Sequence, residues 1–219
     1  GDIPVDGLVR TLVPESAGLQ LVYALDPTNP ILQDGNIVYS VNNSDALAEK
    51  KIKRIAYFMH LTPVEGDARW VYVEMDPFTK NIKHIGVPVP DKGAQFQRKV
   101  KDLVVKSNVP GLPADNLSGY VEAWACNYGA PRKHGFENAS DDIYDFDDTM
   151  SMDANPGYGC LQVHDVNSGT TLFAFNNFRA GRDADVGIGN APDKQKDWTF
   201  SKSANTYLGG QLLVLVKAD

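Results

Sequence analysis

Tyr158-Gly-Cys-Leu-Gln-Val-His-Asp165, Thr171-Leu-Phe-Ala-Phe-Asn-Asn177, Asp183-Ala-Asp-Val-Gly-Ile-Gly-Asn190 and Asp197-Trp-Thr-Phe200 alternate apolar and polar residues at period two and break at glycine and asparagine. This is the pattern of short antiparallel strands and their turns. Working outward, the same reading places strands near Gln20–Leu25, Asn36–Ser40, Arg54–Leu61, Trp70–Met75, Leu103–Asn108, Gly119–Tyr128, Gly159–His164, Thr170–Phe175, Thr199–Ser201 and Gln211–Val216. Helical periodicity is scarce. Ser44–Glu49 carries a capping serine and helix formers, and Gly93–Lys99 has room for a turn or two. The expected fold is all-β, a jelly-roll-like β-sandwich of about ten antiparallel strands, because the blade-length repeat of a propeller is missing.

Arg54-Ile-Ala-Tyr-Phe-Met-His-Leu61 and Trp70-Val-Tyr-Val-Glu-Met75 read as a hairpin joined by Thr62-Pro-Val-Glu-Gly-Asp67. Tyr57, Met59 and Leu61 share one face, yet the other face is apolar too. Two-sided hydrophobicity of this kind marks a central strand covered on both sides.

A length of 219 residues suits one large all-β domain or two small ones. The proline-rich links Val87-Pro-Val-Pro-Asp91 and Pro110-Gly-Leu-Pro113 are too short to be domain boundaries, so residues 1–219 are expected to form a single domain. The net charge of −7 argues against nucleic acid as a partner, which calls for a basic face. No apolar run approaches the roughly 18 residues of a membrane-spanning helix. An acidic surface suits cations, neutral sugars or solubility in salt. The chain starts at Gly1, as a processed product or an excised domain would.

Candidate chemistry gathers in two oxygen-rich stretches. Asp141-Asp-Ile-Tyr-Asp-Phe-Asp-Asp148 holds carboxylates that would repel one another without a cation, and Asp145, Asp147 and Asp148 are the candidate ligands for a structural Ca2+. The spacing is not that of an EF-hand, and a solvated acidic loop is the plain alternative. Arg182-Asp-Ala-Asp-Val-Gly-Ile-Gly-Asn-Ala-Pro-Asp193 reads as a turn in which Asp183, Asp185 and Asn190 stand beside glycines. Carboxylates and amides match hydroxyl pairs, and Trp198 offers an apolar platform to a pyranose, while Arg179 suits an anionic sugar. A structural turn between strands is the alternative there. His164-Asp165 lacks any nucleophile motif and reads as a core or edge histidine, and His60, His84 and His134 have no zinc spacing. Cys126 and Cys160 lie in strand-like segments outside any CxxC motif, either as a disulfide or as two buried thiols.

Val121-Glu-Ala-Trp-Ala-Cys-Asn-Tyr128, Tyr144-Asp-Phe-Asp-Asp148, Gly157-Tyr-Gly-Cys-Leu-Gln-Val-His164, Leu172-Phe-Ala-Phe-Asn-Asn177, Asp185-Val-Gly-Ile-Gly-Asn190 and Asp197-Trp-Thr-Phe200 together resemble a β-sandwich accessory domain. Such domains accompany sialate O-acetylesterase-like and other glycan-degrading proteins of marine bacteria. In those proteins the esterase chemistry resides in a separate domain, and this chain has no Gly-Asp-Ser motif of its own. The family-like pattern has a small residue at the place of Cys160 and no cysteine at that of Cys126, so the two are paired departures that favour the disulfide. The resemblance implies a secreted, non-catalytic module that binds carbohydrate or a glycoconjugate surface. The rival expectations are a glycan hydrolase or lyase that uses acidic residues with His164, and a matrix protein that self-associates.

If the run from Asp141 to Asp148 holds calcium, the ion stabilises the folded chain by mass action. Excess EDTA should then lower the melting temperature by several degrees and Ca2+ should restore it. An unchanged melting curve with no metal in elemental analysis rules the ion out.

Overall fold

The computed structural model describes residues 4–34, 36–88, 96–114, 117–124, 160–165, 167–168, 170–176, 184–190 and 199–219. Its strands are β1 (Gln20–Leu25), β2 (Leu32–Gln33), β3 (Asn36–Ile37), β4 (Val41–Asn42), β5 (Ile52–Pro63), β6 (Arg69–Met75), β7 (Phe96–Ser107), β8 (Leu117–Trp124), β9 (Cys160–Asp165), β10 (Thr171–Asn176), β11 (Asp185–Asn190), β12 (Thr199–Ser203) and β13 (Tyr207–Ala218). Two short helices, α1 (Gly7–Leu12) and α2 (Ser44–Leu47), accompany them. The fold is all-β, as expected. No helix among the described residues is long and apolar enough to cross a membrane.

Eleven strands form one sheet in the order β12-β11-β10-β9-β8-β7-β6-β5-β13-β1-β4, and β2 pairs with β3. Every ladder is antiparallel. From β5 to β12 each strand pairs with its neighbour in sequence, and β13 then returns to β5. This is a meander, and the crossovers of a jelly-roll order do not occur among these ladders. The sandwich-like stacking arises because the meander folds over. The rings of Tyr57 on β5 and Phe173 on β10, five strands apart in the ladder, lie 5.4 Å from each other.

The fold-over is visible in β7. Phe96–Val100 and Leu103 pair with β8 while Val104–Ser107 pairs with β6, and a register shift interrupts the β8 ladder between Val100 and Leu103. Asp102 sits at the shift with φ 53°, a left-handed conformation that some bulges use and that non-glycine residues mostly avoid. Arg54 of β5 holds the corner. Its Nη2 donates to the Asp102 carbonyl at 2.8 Å, its Nε to Glu74 Oε2 at 2.9 Å and its Nη1 to Asp76 Oδ1 at 2.9 Å. The remaining oxygen of Glu74 accepts from the Tyr72 hydroxyl at 2.6 Å. One guanidinium therefore joins three consecutive strands through the planar fork that suits it to such work. The turn or two of helix expected at Gly93–Lys99 does not form over its described part. Phe96–Lys99 is strand, because its partners on β8 use the extended backbone.

The hairpin of β5 and β6 has both faces covered. Ile55, Tyr57, Met59 and Leu61 point into the main core with Val71, Val73, Phe173, Phe175 and Val214. Ala56 and Phe58 point the other way, where Val9, Val13, Leu19, Tyr72, Leu213 and Leu215 cover them. Helix α1, which the sequence pattern did not reveal, supplies part of that cover. It is one and a half turns long, ends before Pro14, and is tied down by Arg10, which pairs with Asp6 at 3.0 Å and donates to the carbonyls of Ser16 and Leu19.

Arg54→Met strips the corner of three contacts and leaves Glu74 and Asp76 without their shared cation. It should lower unfolding stability by about 2 to 3 kcal/mol in a denaturant titration. Lys53→Met, which breaks the exposed pair with Asp219 at 3.4 Å, should cost less than about 0.5 kcal/mol. Equal losses for the two variants would show that Arg54 does not hold the corner.

Candidate functional site, a polar row on β8 to β10

On β8, β9 and β10 the period of two sends Val121, Ala123, Leu161, Val163, Phe173 and Phe175 to the main core. Tyr120, Glu122, Gln162 and His164 therefore stand on the opposite face, and a register shift between Thr171 and Phe173 brings Thr171 opposite His164. Register brings them together. Tyr120 lies across from His164, Glu122 from Gln162, and Thr171 from His164 on the other side. Polar side chains facing away from a core normally meet water, but all of these are buried. The row is thus a polar cluster in a water-poor setting, where hydrogen bonds are stronger and unmatched groups cost more.

Gln162 Nε2 donates to Glu122 Oε2 at 2.5 Å. The same carboxylate oxygen lies 3.6 Å from His164 Nε2, and His164 Nδ1 lies 3.0 Å from Thr171 Oγ1. Gln162 Oε1, although buried, has no hydrogen-bond partner. This amide acceptor stands next to a carboxylate, an imidazole and a hydroxyl, and all four side chains are fully buried. Asp165 ends β9 and shapes the β9–β10 hairpin, its Oδ2 accepting from the Ser168 backbone at 2.9 Å and the Ser168 hydroxyl at 2.5 Å.

His164 is the core histidine expected from its neighbours, with the added feature that it faces a carboxylate. His60 is half-buried on β5, where burial lowers its pKa. His84 lies near the Asn81 amide at 3.3 Å, and His134 lies outside the described residues.

The residues expected to bind sugar divide. Asp185 and Asn190 belong to β11, so the stretch read as a turn is a strand over 185–190. Its glycines serve the sheet. Gly187 is buried between Ala174 and Ser201 in the ladder, and Gly189 takes φ 79° at a register shift. In backbone register Asp185 shares a row with Trp124, Cys160, Asn176 and Ser203, next to the row of Glu122, Gln162, Ala174, Gly187 and Ser201. Asp183, Arg179 and Trp198 lie outside the described residues, as do Asp145, Asp147, Asp148 and Cys126. Cys160 opens β9 opposite Trp124.

Glu122 and Gln162 escaped the sequence reading. Their signal is the pair of polar residues at period two, Tyr120-x-Glu122 and Gln162-x-His164, that flank the apolar residues Val121 and Val163. Comparison with protein-family models, curated proteins and solved structures finds no match for this chain.

Gln162→Glu would place a second carboxylate against Glu122 in this buried row. Two carboxylates in contact raise the pKa of one above its unfolded value, so the variant's stability is retained at low pH and lost as pH rises. The deficit relative to the parent chain should be small near pH 4.5 and reach about 3 kcal/mol at pH 7.5. A deficit independent of pH would place the two side chains out of contact.

Proposed function

We propose that this chain is a non-catalytic, secreted module that binds carbohydrate or a glycan-bearing surface through the polar row of Glu122, Gln162 and His164. The observation that carries the reading is the buried acceptor Gln162 Oε1, which has no hydrogen-bond partner beside Glu122 and His164. Pockets specific for a polar ligand pair a few convergent polar groups with an apolar surround, and a ligand hydroxyl gains most where it satisfies a group that water cannot reach. The likeness to accessory domains of glycan-degrading proteins points to the same class. Asp185, one row away in register, belongs to the same proposal, with Asp183, Asn190, Trp198 and Arg179 as its expected extension. A structural Ca2+ at Asp145, Asp147 and Asp148 and a Cys126–Cys160 disulfide are parts of the proposal that suit an extracellular protein.

A second reading rests on the 3.6 Å approach of His164 Nε2 to Glu122 Oε2, a carboxylate and imidazole pair of the kind that moves protons in hydrolases and lyases.

One experiment separates the two. The chain is applied to a glycan array with and without EDTA, and each bound glycan is incubated with the protein and assayed for new reducing ends or unsaturated products. Binding without turnover, weakened about tenfold by Gln162→Ala while circular dichroism is unchanged, is the expected result. Product release that Glu122→Gln abolishes would replace it with the enzymatic reading, and no binding to any glycan in either buffer would overturn it.

A further inference from the structure

The chain between β1 and β4 encloses a cavity of about 190 Å3, bounded by the end of β1, the turn that follows it and the returning stretch 37–40. Leu25, Ile31, Val38 and Tyr39 are among its apolar walls, and Asp26, Asn29 and Ser40 supply its polar groups. Among the described residues no lysine, arginine or histidine lines it. The volume lies below the roughly 300 to 1,000 Å3 of sites for drug-sized ligands and equals the share of about six waters in the liquid, so the cavity suits a small occupant.

Its carboxylate is fixed but has no counter-ion. Asp26 Oδ1 accepts from the Thr28 backbone at 2.9 Å and from the Thr28 hydroxyl at 2.7 Å, and Thr28 is itself fully buried, so the carboxylate is anchored to the core. Its Oδ2 takes no hydrogen bond, and among the described residues no cationic side chain pairs with it. The apolar wall beside it is exposed without need of the core. Ile31, 60% exposed, and Val38, 39% exposed, are joined by the bond from Val38 N to the Ile31 carbonyl at 2.9 Å, whereas Ile37 next to them packs against the core. Single exposed apolar residues are ordinary, but these two line one cavity together with an unpaired carboxylate. Tyr39 adds an aromatic ring that is held in place, since Tyr23 stacks on it at 4.3 Å and its hydroxyl accepts from Val87 N at 2.9 Å.

We propose that this cavity binds a small organic ammonium ion, whose N–H donates to Asp26 Oδ2 while its apolar body covers Ile31, Val38 and Tyr39. Charge decides against anions, which the carboxylate repels with no cation in the lining to offset it. The walls decide against sugars, because a hexose would exchange the hydration of a ring of hydroxyls for three polar side chains and a mostly apolar surface. A cation loses less, since its charge meets a fixed carboxylate in a charge-assisted hydrogen bond and its body meets aliphatic and aromatic groups. Because the carboxylate and the Tyr39 ring are both held before any ligand arrives, little ordering is left for binding to impose. The cavity shares no residue with the polar row on β8 to β10, and neither proposal needs the other.

The probe is cyclohexylamine, an ammonium ion at pH 7, titrated into 15N-labelled protein at low salt. It should shift the amides of Asn29, Ile31, Val38 and Ser40 saturably below about 50 mM, whereas cyclohexanol, of the same shape without charge, should bind at least about fivefold more weakly and cyclohexanecarboxylate should not bind. Asp26→Asn keeps an oxygen for the Thr28 donors and should leave the melting temperature unchanged while weakening the amine at least about fivefold. Ile31→Ser removes an exposed part of the wall and should weaken the amine and cyclohexanol alike. Equal binding of the amine and the alcohol, undiminished binding of the amine to Asp26→Asn, or no saturable shift would overturn the proposal. So would tighter binding of methyl glucoside at the same amides, which would give the cavity to a sugar.

Discussion

Three residues decide how the sheet must be shaped. Ala204–Thr206 join β12, at one end of the ladder, to β13, which pairs with β5. Eight strand spacings separate β12 from β13 in the ladder, about 38 Å if the sheet were flat. The link can reach about 14 Å. The two ends must therefore come together, and the link shows where they do: Ala204 N donates to the Ala184 carbonyl just before β11 at 2.6 Å, and Val64 N just after β5 donates to the Thr206 carbonyl at 3.3 Å. The bulge at Asp102, the Arg54 fork across it and the contact of Tyr57 with Phe173 are the local means by which this closure is met. Ordinary sheet twist spreads curvature evenly, whereas a bulge concentrates it in one place. That is why a residue in a costly conformation sits where the guanidinium can hold its carbonyl.

Closure also sets the chemistry of the faces. Once β5 and β10 lie across the core from each other, their inner faces are apolar by necessity, and every strand in between has one face left over. On β5, β6 and β13 that second face is apolar and is covered by α1 and the residues after it. On β8 to β10 it is polar and nevertheless buried. The cost of burying Glu122, Gln162 and His164 is offset in part by the bonds they make with one another and with Thr171. An apolar second face needs no more explanation than stability. A polar one that leaves an acceptor open calls for a partner, which is the reason for seeking function there.

The sequence was most legible where one physical signal acted alone. β1 begins and ends where alternation and the flanking polar residues put it, and the two-sided apolar pattern of Arg54–Leu61 correctly marked a central strand. It misled where composition and pairing competed. Asp183–Asn190 has the glycines and acids of a turn, but Val186 and Ile188 have buried places to fill and neighbours on β10 and β12 to bond, so tertiary pairing overrides local preference. Strand order was invisible for a related reason. Alternation tells which residues face the core and nothing about which strand lies next to which, so a jelly roll and a folded meander present the same pattern. Helix α1 was missed because Val9 and Val13 make only a single apolar contact period, too short to stand out from noise.

The candidate site was less legible than the fold, and the cause is the same closure. Asp183, Asp185 and Asn190 attracted attention as oxygens adjacent in sequence, whereas Glu122 and Gln162 are separated by forty residues and become neighbours only through the β8–β9 ladder. Proximity in a sheet is written across strands, and single residues on strands carry no mark of the company they will keep. What does carry a mark is a polar residue placed at a position whose period assigns it to a covered face. Gln211 on β13 resembles Gln162 on β9 in one respect, since each keeps one buried amide oxygen without a hydrogen-bond partner. The two differ in surroundings, since Gln162 stands beside a carboxylate and an imidazole while Gln211 bonds the N-terminal segment at the Val5 carbonyl. Because each amide is fixed at one end by a hydrogen bond, to Glu122 in the first case and to the Val5 carbonyl in the second, its other end is held in one orientation, and at Gln162 that fixed orientation is what would lower the ordering cost of the proposed binding.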